Sequence, residues 1–385
     1  MQDSASKNTI SGETFELPPQ QTRLEEFWSQ LRKNRLAFTG LVIFGFFFLV
    51  AVVGMILTTG TSPVLDPSLV RLQEKLRPPL SGPNLESLLP EEVPPLRVYL
   101  LGTDELGRDV FARMLQGAWV SLTVGFVAVG LAVIIGVLLG GLSGYYGQNS
   151  IRVGQVILVL LAMWVALGWS RMSGVYLVIL AAMAMVVLAS MVLLRGERTY
   201  GVFSFLDARL ISVDALITSL IDIMLCFPSF FLILTVVALL PASIYNIMVI
   251  IGLTSWMGAA RFVRAEFLSL REQDFVTAAR ALGVSDWRII FRHMVPNAIA
   301  PVLVSATIGI AGAILTEAGL SFLGFGVPPP HATWGNILSD GKNYLFDAPW
   351  LTVIPGVAIL VVVLSFNLFG EGLRDILNPK LRERH

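Results

Sequence analysis

The segment RFVRAEFLSLREQDFVTAARALGVSDWRIIFRHMVP, residues 261–296, lies between two long apolar runs. It is far more polar and more regular than a simple connector requires. Thr277, Ala278 and Ala279 lie in a predicted helix that stops at Gly283, because glycine readily adopts the left-handed turn that ends a helix. We therefore expect a folded surface in this segment rather than a flexible linker.

A second short helix is predicted after this glycine bend. Ser285 is suited to cap it, and Asp286 falls in its first turn, where a negative charge complements the helix dipole. Pro296 follows the second helix and precedes the next apolar run. Two small helices joined at a glycine form a compact knob suited to docking. A solvated amphipathic linker is the alternative interpretation.

The composition places most of the chain in a membrane. It is 55% hydrophobic and 14% charged, with a mean hydropathy of +0.74, and a water-soluble fold of 385 residues does not reach such values easily. The formal net charge is zero, so no nucleic acid partner is expected. The single cysteine, Cys226, has no mate for a disulfide. We therefore predict an all-α polytopic membrane protein surrounded by membrane lipid.

A run of about 20 apolar residues is long enough to cross the roughly 30 Å hydrocarbon layer of a bilayer. Six runs are assigned as spans, and they cover residues 36–57, 120–142, 215–240, 246–260, 301–323 and 351–369. Two further runs, 153–167 and 175–194, are separated by the seven residues GWSRMSG and predict an inserted apolar hairpin. The sequence therefore predicts about eight spans.

Lys and Arg residues set the predicted orientation, since positively charged loops stay on the cytoplasmic side. With both ends inside, 19 of the 27 Lys and Arg residues fall in inner segments. The N- and C-termini are therefore expected in the cytoplasm and the protein in the inner (plasma) membrane.

The same reasoning divides the chain into segments. These are a cytoplasmic tail and interfacial lead-in at 1–35, a first transmembrane helix at 36–57, an extracytoplasmic loop at 58–116, a core at 117–373 and a cytoplasmic tail at 374–385. The core includes the inserted hairpin at about 151–211 and the polar loop at 261–296.

Four separated stretches carry a family resemblance. They are LGTDELGRDVFARMLQGAWVSLTVG at 101–125, DFVTAARALGVSDWRIIFRHMVPN at 274–297, LSFLGFGVPPPHATWGNIL at 320–338 and NLFGEGLRDILNPKLR at 367–382. In this order they resemble the inner-membrane permease subunit of peptide-type ATP-binding-cassette (ABC) importers, and most closely the second permease of dipeptide and oligopeptide systems. The resemblance implies the type I ABC importer transmembrane fold with six core helices, so that residues 151–211 are an insertion.

The resemblance also implies partners and a mechanism. Such permeases pair with a second permease to form the translocation path, bind two cytoplasmic ATP-binding subunits, and receive substrate from an extracytoplasmic substrate-binding protein. The 274–296 loop resembles the family's coupling helix, which fits a groove on an ATPase. The residues implied in coupling are Thr277, Ala278, Ala279, Arg280, Gly283, Ser285, Asp286, Arg288 and Pro296.

One position departs from the family pattern. The family usually has a glutamate where this chain has Thr277, so an ion pair made by that glutamate is absent here. Glu272 or Asp274 can take its place. The cargo is not specified, and peptides, nickel chelates and similar small solutes stay open.

Acidic residues inside apolar runs are costly, on the order of 3 kcal/mol at the bilayer centre, and usually face protein or water. Asp222 and Glu317 are the clearest cases, and Pro228 is expected to kink the span that contains Asp222. One interpretation places these three residues along a translocation path. The other has the two carboxylates satisfied by neighbouring helices or by the partner permease.

No catalytic, metal or cofactor site is expected. The sequence has no GxxxxGK[ST] phosphate loop, so ATP hydrolysis is assigned to partner chains. The glycines of GTDELGRD, residues 102–109, are expected to shape a turn, and His331 is a lone histidine. The alternatives are a secondary carrier that uses Asp222 and Glu317 as a proton relay, and an intramembrane enzyme, for which the spans hold too few ionisable residues.

Overall fold

The computed structural model describes residues 23–147, 149–152 and 209–377 of the chain. Within these ranges the α-helices of eight or more residues are α1 Arg23–Lys33, α2 Arg35–Thr58, α3 Val110–Tyr146, α4 Val213–Cys226, α5 Ser229–Leu239, α6 Ile244–Leu270, α7 Asp274–Ala281, α8 Val295–Phe322, α9 Trp334–Gly341 and α10 Trp350–Leu377. The two strands are β1 Ser150–Arg152 and β2 Arg209–Ser212.

Five of the six apolar runs lie on single helices long enough to span a membrane, and the run 215–240 is divided between α4 and α5. Five helical segments pass that test of length and composition alone, and α4 with α5 passes it as a pair bent by 81°. The predicted helical membrane fold is therefore confirmed, with five candidate spans among the described residues, or six if the bent pair is one span. The predicted hairpin runs, 153–167 and 175–194, lie outside the described residues.

Helix α6 is longer than the sequence indicated. The apolar run was expected to end at Ala260, but the helix continues through Arg261 and Arg264 to Leu270. The continuation is possible because carboxylates on α4 pair with both arginines, as described below. The polar loop therefore begins at Arg271 and not at Arg261.

Helix α3 is the centre of the bundle. It packs against α2, α4, α6 and α8, and the main apolar core collects side chains from α3, α6, α8 and α10. Helices α3 and α6 approach each other closely, and a Cβ added at Gly140 would overlap the backbone of Ala260. Glycine is required there because two helix backbones lie in contact.

The bundle has two ends. One end, here called the loop end, carries the C-termini of α3, α6 and α10 and the loop between α6 and α8. The other, the cap end, carries residues 59–109 and 323–349. Residues 59–109, within the segment expected to be an extracytoplasmic loop, contain only one 3-10 turn and isolated bridges as regular structure.

Buried charges hold the cap end together. Asp104 is fully buried and accepts hydrogen bonds from Arg108, at 2.7 Å, and from Arg113. Arg108 also reaches Asp340 on α9, at 3.1 Å. Burial raises the pKa of Asp109, which caps the first turn of α3 through the backbone N–H of Phe111. The GTDELGRD turn is therefore structural, as the sequence indicated.

Strands β1 and β2 form an antiparallel pair at the loop end. Ser150 lies opposite Ser212, and Arg152 lies opposite Arg209. The pair is attached directly to α3 and α4, with the N–H of Val213 donating to the carbonyl of Asn149. Residues Arg152 and Arg209 are therefore held side by side.

Candidate functional site

The loop between α6 and α8 is organised around the end of α7. The N–H of Val284 donates to the carbonyl of Ala279, and the N–H of Gly283 donates to the carbonyl of Arg280. This is the Schellman arrangement, in which the residue after the helix cap takes a left-handed conformation. Gly283 has φ +74°, and a Cβ added there would meet nothing within 4 Å. Gly283 is therefore required for its backbone angle and not for space.

One face of the loop is fixed to the helix ends. Val276, Ala279, Ile289 and Met294 are buried in a cluster with Phe267 and other residues of α3, α6 and α8. Ala279, one of the residues implied in coupling, is buried in this cluster. Ala278 is exposed. The loop is thus a rigid extension of three helices.

The exposed part of the loop carries large apolar side chains among polar ones. Leu282 is 83% exposed and Trp287 is 66% exposed, and Phe275 lies at the same surface of the loop. The ring of Trp287 stacks on Phe291 with centroids 4.0 Å apart. Large apolar side chains at this exposure are typical of a surface that binds protein.

Two tyrosines of α3 hold the loop in place. The hydroxyl of Tyr145 donates to Asp286 at 2.6 Å, and that of Tyr146 donates to the other carboxylate oxygen at 3.3 Å. The guanidinium of Arg280 lies over the Tyr145 ring, 4.8 Å from its centroid. Sequence reasoning gave Arg280 and Asp286 a role toward a partner and missed these contacts within the chain.

Two local predictions for this loop are wrong. Ser285 occupies the cap position, but its side chain makes no capping hydrogen bond. The second helix is not a separate short element, because Asp286–Arg288, a π-helical segment Ile289–Met294 and α8 run on as one helix. Pro296 is near the first residue of α8 and not after a helix end. Proline lacks a backbone N–H and clashes with the carbonyl four residues before it, and the α-helical hydrogen-bond pattern is interrupted by the π-helical segment just ahead of Pro296.

The other predicted coupling residues are exposed. The hydroxyl of Thr277 donates to the carbonyl of Asp274 at 2.9 Å. Glu272, a candidate for the missing glutamate, pairs with its neighbour Arg271 at 2.9 Å. Arg288 is exposed on the same surface as Trp287.

An ion pair that the sequence did not reveal braces the base of the loop. Arg264 on α6 makes two bonds to Asp214 on α4, one of them at 2.7 Å, and Ser143 on α3 donates to the same carboxylate. The only sequence signal was an Arg just beyond an apolar run. Helices α3, α4 and α6 are joined at this carboxylate.

The three residues expected along a path lie in different surroundings. Glu317 is fully buried and accepts hydrogen bonds from Ser121 at 3.2 Å and Ser321 at 2.7 Å. Asp222 is exposed and pairs with Arg261 at 2.9 Å. Pro228 starts α5 at the 81° bend. Among the described residues, no group of His, Cys, Asp and Glu could hold a metal ion.

Two family models match the chain. Residues 202–383 match the binding-protein-dependent transport system inner membrane component, and residues 22–79 match the N-terminal TM domain of oligopeptide transport permease C.

Relatives of known function match nearly the whole chain. The dipeptide transport system permease protein DppC of Alkalihalophilus pseudofirmus is 35% identical over 357 residues, which cover 93% of this chain and 90% of that protein. DppC of Haemophilus influenzae is 33% identical, with 94% and 96% covered. The oligopeptide transport system permease protein OppC of Bacillus subtilis is 30% identical, with 92% and 88% covered.

Proposed function

Because this chain belongs to the family of binding-protein-dependent transport system inner membrane components, as a permease of the peptide ABC importers, we propose that it forms a solute path with a partner permease. The path carries peptides or similar small solutes, as the names of the dipeptide and oligopeptide relatives suggest. The chain is a multi-pass inner-membrane subunit, and ATP is hydrolysed by separate chains.

The orientation of this proposal puts the loop end in the cytoplasm. Six Lys and Arg residues lie between Arg261 and Arg292, near or within the loop, and positive charge favours the cytoplasmic side. The cap end then faces the substrate-binding protein, and both termini are cytoplasmic.

Coupling to the cytoplasmic ATPases is assigned to residues 271–294. The single observation that carries this assignment is the contrast between the two faces of the loop. Val276 and Ile289 are buried against helix ends, whereas Leu282 and Trp287 are left in solvent. An exposed apolar surface on a rigid support can receive force from a second protein without folding away. Thr277, Ala278, Ser285 and Arg288 are also exposed on this loop.

Co-purification of the complex tests the assignment. Leu282→Asp and Trp287→Asp should each lower the amount of ATPase recovered with the tagged permease at least tenfold, because a charge replaces the centre of an apolar contact. Phe346→Asp is the matched control, since Phe346 is 96% exposed at the opposite end of the bundle. Equal recovery of the ATPases with all three variants would refute the coupling surface.

The secondary-carrier alternative is not supported. A proton relay requires its two carboxylates within reach of each other or of a shared water chain. Asp222 is paired with Arg261 at the surface, and Glu317 is enclosed by hydroxyl groups of α3 and α8.

A further inference from the structure

An ion pair lies open on the side of the bundle. The guanidinium of Arg261 on α6 contacts Asp222 on α4 at 2.9 Å, and their side chains are 55% and 59% exposed. Asp222 is the only charged residue of the apolar run 215–240. It lies eight residues beyond Asp214, or about 12 Å further along the helix. The pair is therefore inside the apolar part of the protein and not at its edge.

The exposed side of α4 is divided into two stripes. Positions 100° apart on a helix lie on different faces, and residues spaced by three, four and seven share a face. One exposed stripe is small and polar, and it consists of Ala215, Ser219, Asp222 and Cys226. The adjacent exposed stripe is apolar, and it consists of Leu216, Leu220, Ile223 and Phe227.

Helix α6 continues the polar stripe. Gly258 and Ala265 are small, exposed and share a face with Arg261, and the exposed Ser255 lies one turn before Gly258, whereas the exposed Phe262 borders this surface. The contact between Arg261 and Asp222 joins the two helices at this point. Together these residues form one surface, here called the polar stripe.

The polar stripe ends at a break in the helix. Helix α4 stops at Cys226, α5 starts at Ser229 without a side-chain cap, and the two are bent by 81°. Helix ends leave backbone N–H and C=O groups without partners inside the helix. Residues 225–229 are exposed, so these backbone groups are open to whatever lies beside the chain.

Exposure of such a surface to lipid is energetically unfavourable. Charged side chains and irregular backbone at membrane depth occur where protein or a water-filled cavity covers them. Resting on the function proposed above, we propose that the polar stripe is the wall of the water-filled solute path. The Asp222 and Arg261 pair then offers one carboxylate and one guanidinium to a zwitterionic solute. A peptide with a free ammonium and a free carboxylate has the matching chemistry.

Cys226 supplies a native probe, since it is the single cysteine of the chain. The whole complex in membranes is treated with an anionic, membrane-impermeant methanethiosulfonate, which reacts with thiols in water. In a Cys226→Ser background, Ser219→Cys and Leu220→Cys compare the polar stripe with its apolar neighbour. Labelling after denaturation shows that each thiol is present.

The proposal requires that the anionic reagent label Cys226 and Ser219→Cys rapidly. It also requires that the labelling rate of Leu220→Cys be at least tenfold lower. Slow labelling of both stripe positions would overturn it, because the stripe would then be covered by lipid or by the partner permease. Equal labelling of all three positions would also overturn it. Intact ATPase recovery in the same membranes would leave the proposed function standing in either case.

Two reagents of opposite charge test the ion pair. The measured quantity is the ratio of the labelling rates of Cys226 with the anionic and the cationic reagent. Asp222→Asn should raise this ratio severalfold, and Arg261→Gln should lower it. Glu266→Gln is the control, since its carboxylate lies on α6 one turn beyond Arg261. An unchanged ratio in both pair variants would overturn the assignment of the pair to the solute path.

Discussion

The hydroxyl of Tyr145 lies 2.6 Å from the carboxylate of Asp286, so the end of α3 is tied directly to the start of the long helix that leads into α8. The second tyrosine, Tyr146, contacts the same carboxylate at the longer distance of 3.3 Å. A movement imposed on the loop therefore reaches α3 without an intervening flexible segment.

Tyr145→Phe should weaken this connection. Removing a hydrogen bond to a charged group costs about 2 kcal/mol, and we expect substrate-stimulated ATP hydrolysis of the complex to fall several-fold. Tyr146→Phe is the matched control and should have a smaller effect. Equal activity of the two variants and the wild-type protein would show that the tyrosine contact is dispensable for coupling.

Gly283→Leu should disturb the loop without affecting membrane insertion. A side chain at φ +74° costs about 1–2 kcal/mol, and the strain moves Leu282 out of the exposed surface. Stimulated ATP hydrolysis should fall, while Gly283→Asn retains most of it because asparagine tolerates this conformation.

Gly45→Ala serves as the control for glycine replacement, since it lies in open space on α2 at an ordinary backbone angle. A Gly283→Leu complex with normal stimulated hydrolysis would contradict the role assigned to the bend.

Gly140→Val should destabilise the bundle. The added side chain overlaps the backbone of Ala260, and such overpacking costs about 1–3 kcal/mol or more. We expect a lower midpoint of thermal unfolding in detergent. Gly130→Val on the same helix meets nothing within 4 Å and should leave the midpoint unchanged. Similar midpoints for both variants would argue against the close contact of α3 and α6.

Residues 153–208 should be removable. Arg152 and Arg209 lie opposite each other at the open end of the β1–β2 pair, and an Asn-Gly turn joins two such antiparallel strands. The shortened chain should insert into membranes and retain its ATPases in co-purification. If the shortened chain is degraded in cells in which the full-length chain is stable, the segment is needed for folding.

The cap end should lose stability at high pH through Tyr99. Burial raises the pKa of this hydroxyl from about 10 to about 12, and among the described residues the hydroxyl has no hydrogen-bond partner. Because the folded pKa is the higher one, its stabilising contribution is complete below pH 10 and is lost as the pH rises towards 12. Thermal unfolding of Tyr99→Phe should lack this alkaline decline, and an identical decline in both proteins would assign it to another group.

The membrane spans could be predicted because length and hydrophobicity are local properties. The six runs from 36–57 to 351–369 lie on the helices of the bundle. The bend at Gly283 was also predictable, since only the local backbone requires glycine there. Pro228 predicted a kink. The 81° angle between α4 and α5 depends on how these helices pack, which the local sequence does not specify.

Contacts between distant residues account for what the sequence did not reveal. Arg261 and Arg264 suggested the end of a span, whereas Asp222 and Asp214, about 40 to 50 positions earlier, allow α6 to continue through them. Ser285 has the residue type of a helix cap, but its side chain makes no capping hydrogen bond. The start of this helix is instead held by the hydrogen bond between Asp286 and Tyr145. These outcomes depend on which helices meet, and one chain's local pattern does not specify that.

The unbroken helix from Asp286 to Phe322 has a mechanical consequence. At 1.5 Å per residue its 37 residues are about 55 Å long, so it reaches from Trp287 at one end of the bundle to Glu317 near the other. A rod of this length that is held near its middle works as a lever. A small tilt applied at Trp287 then displaces the end near Glu317 in the opposite direction.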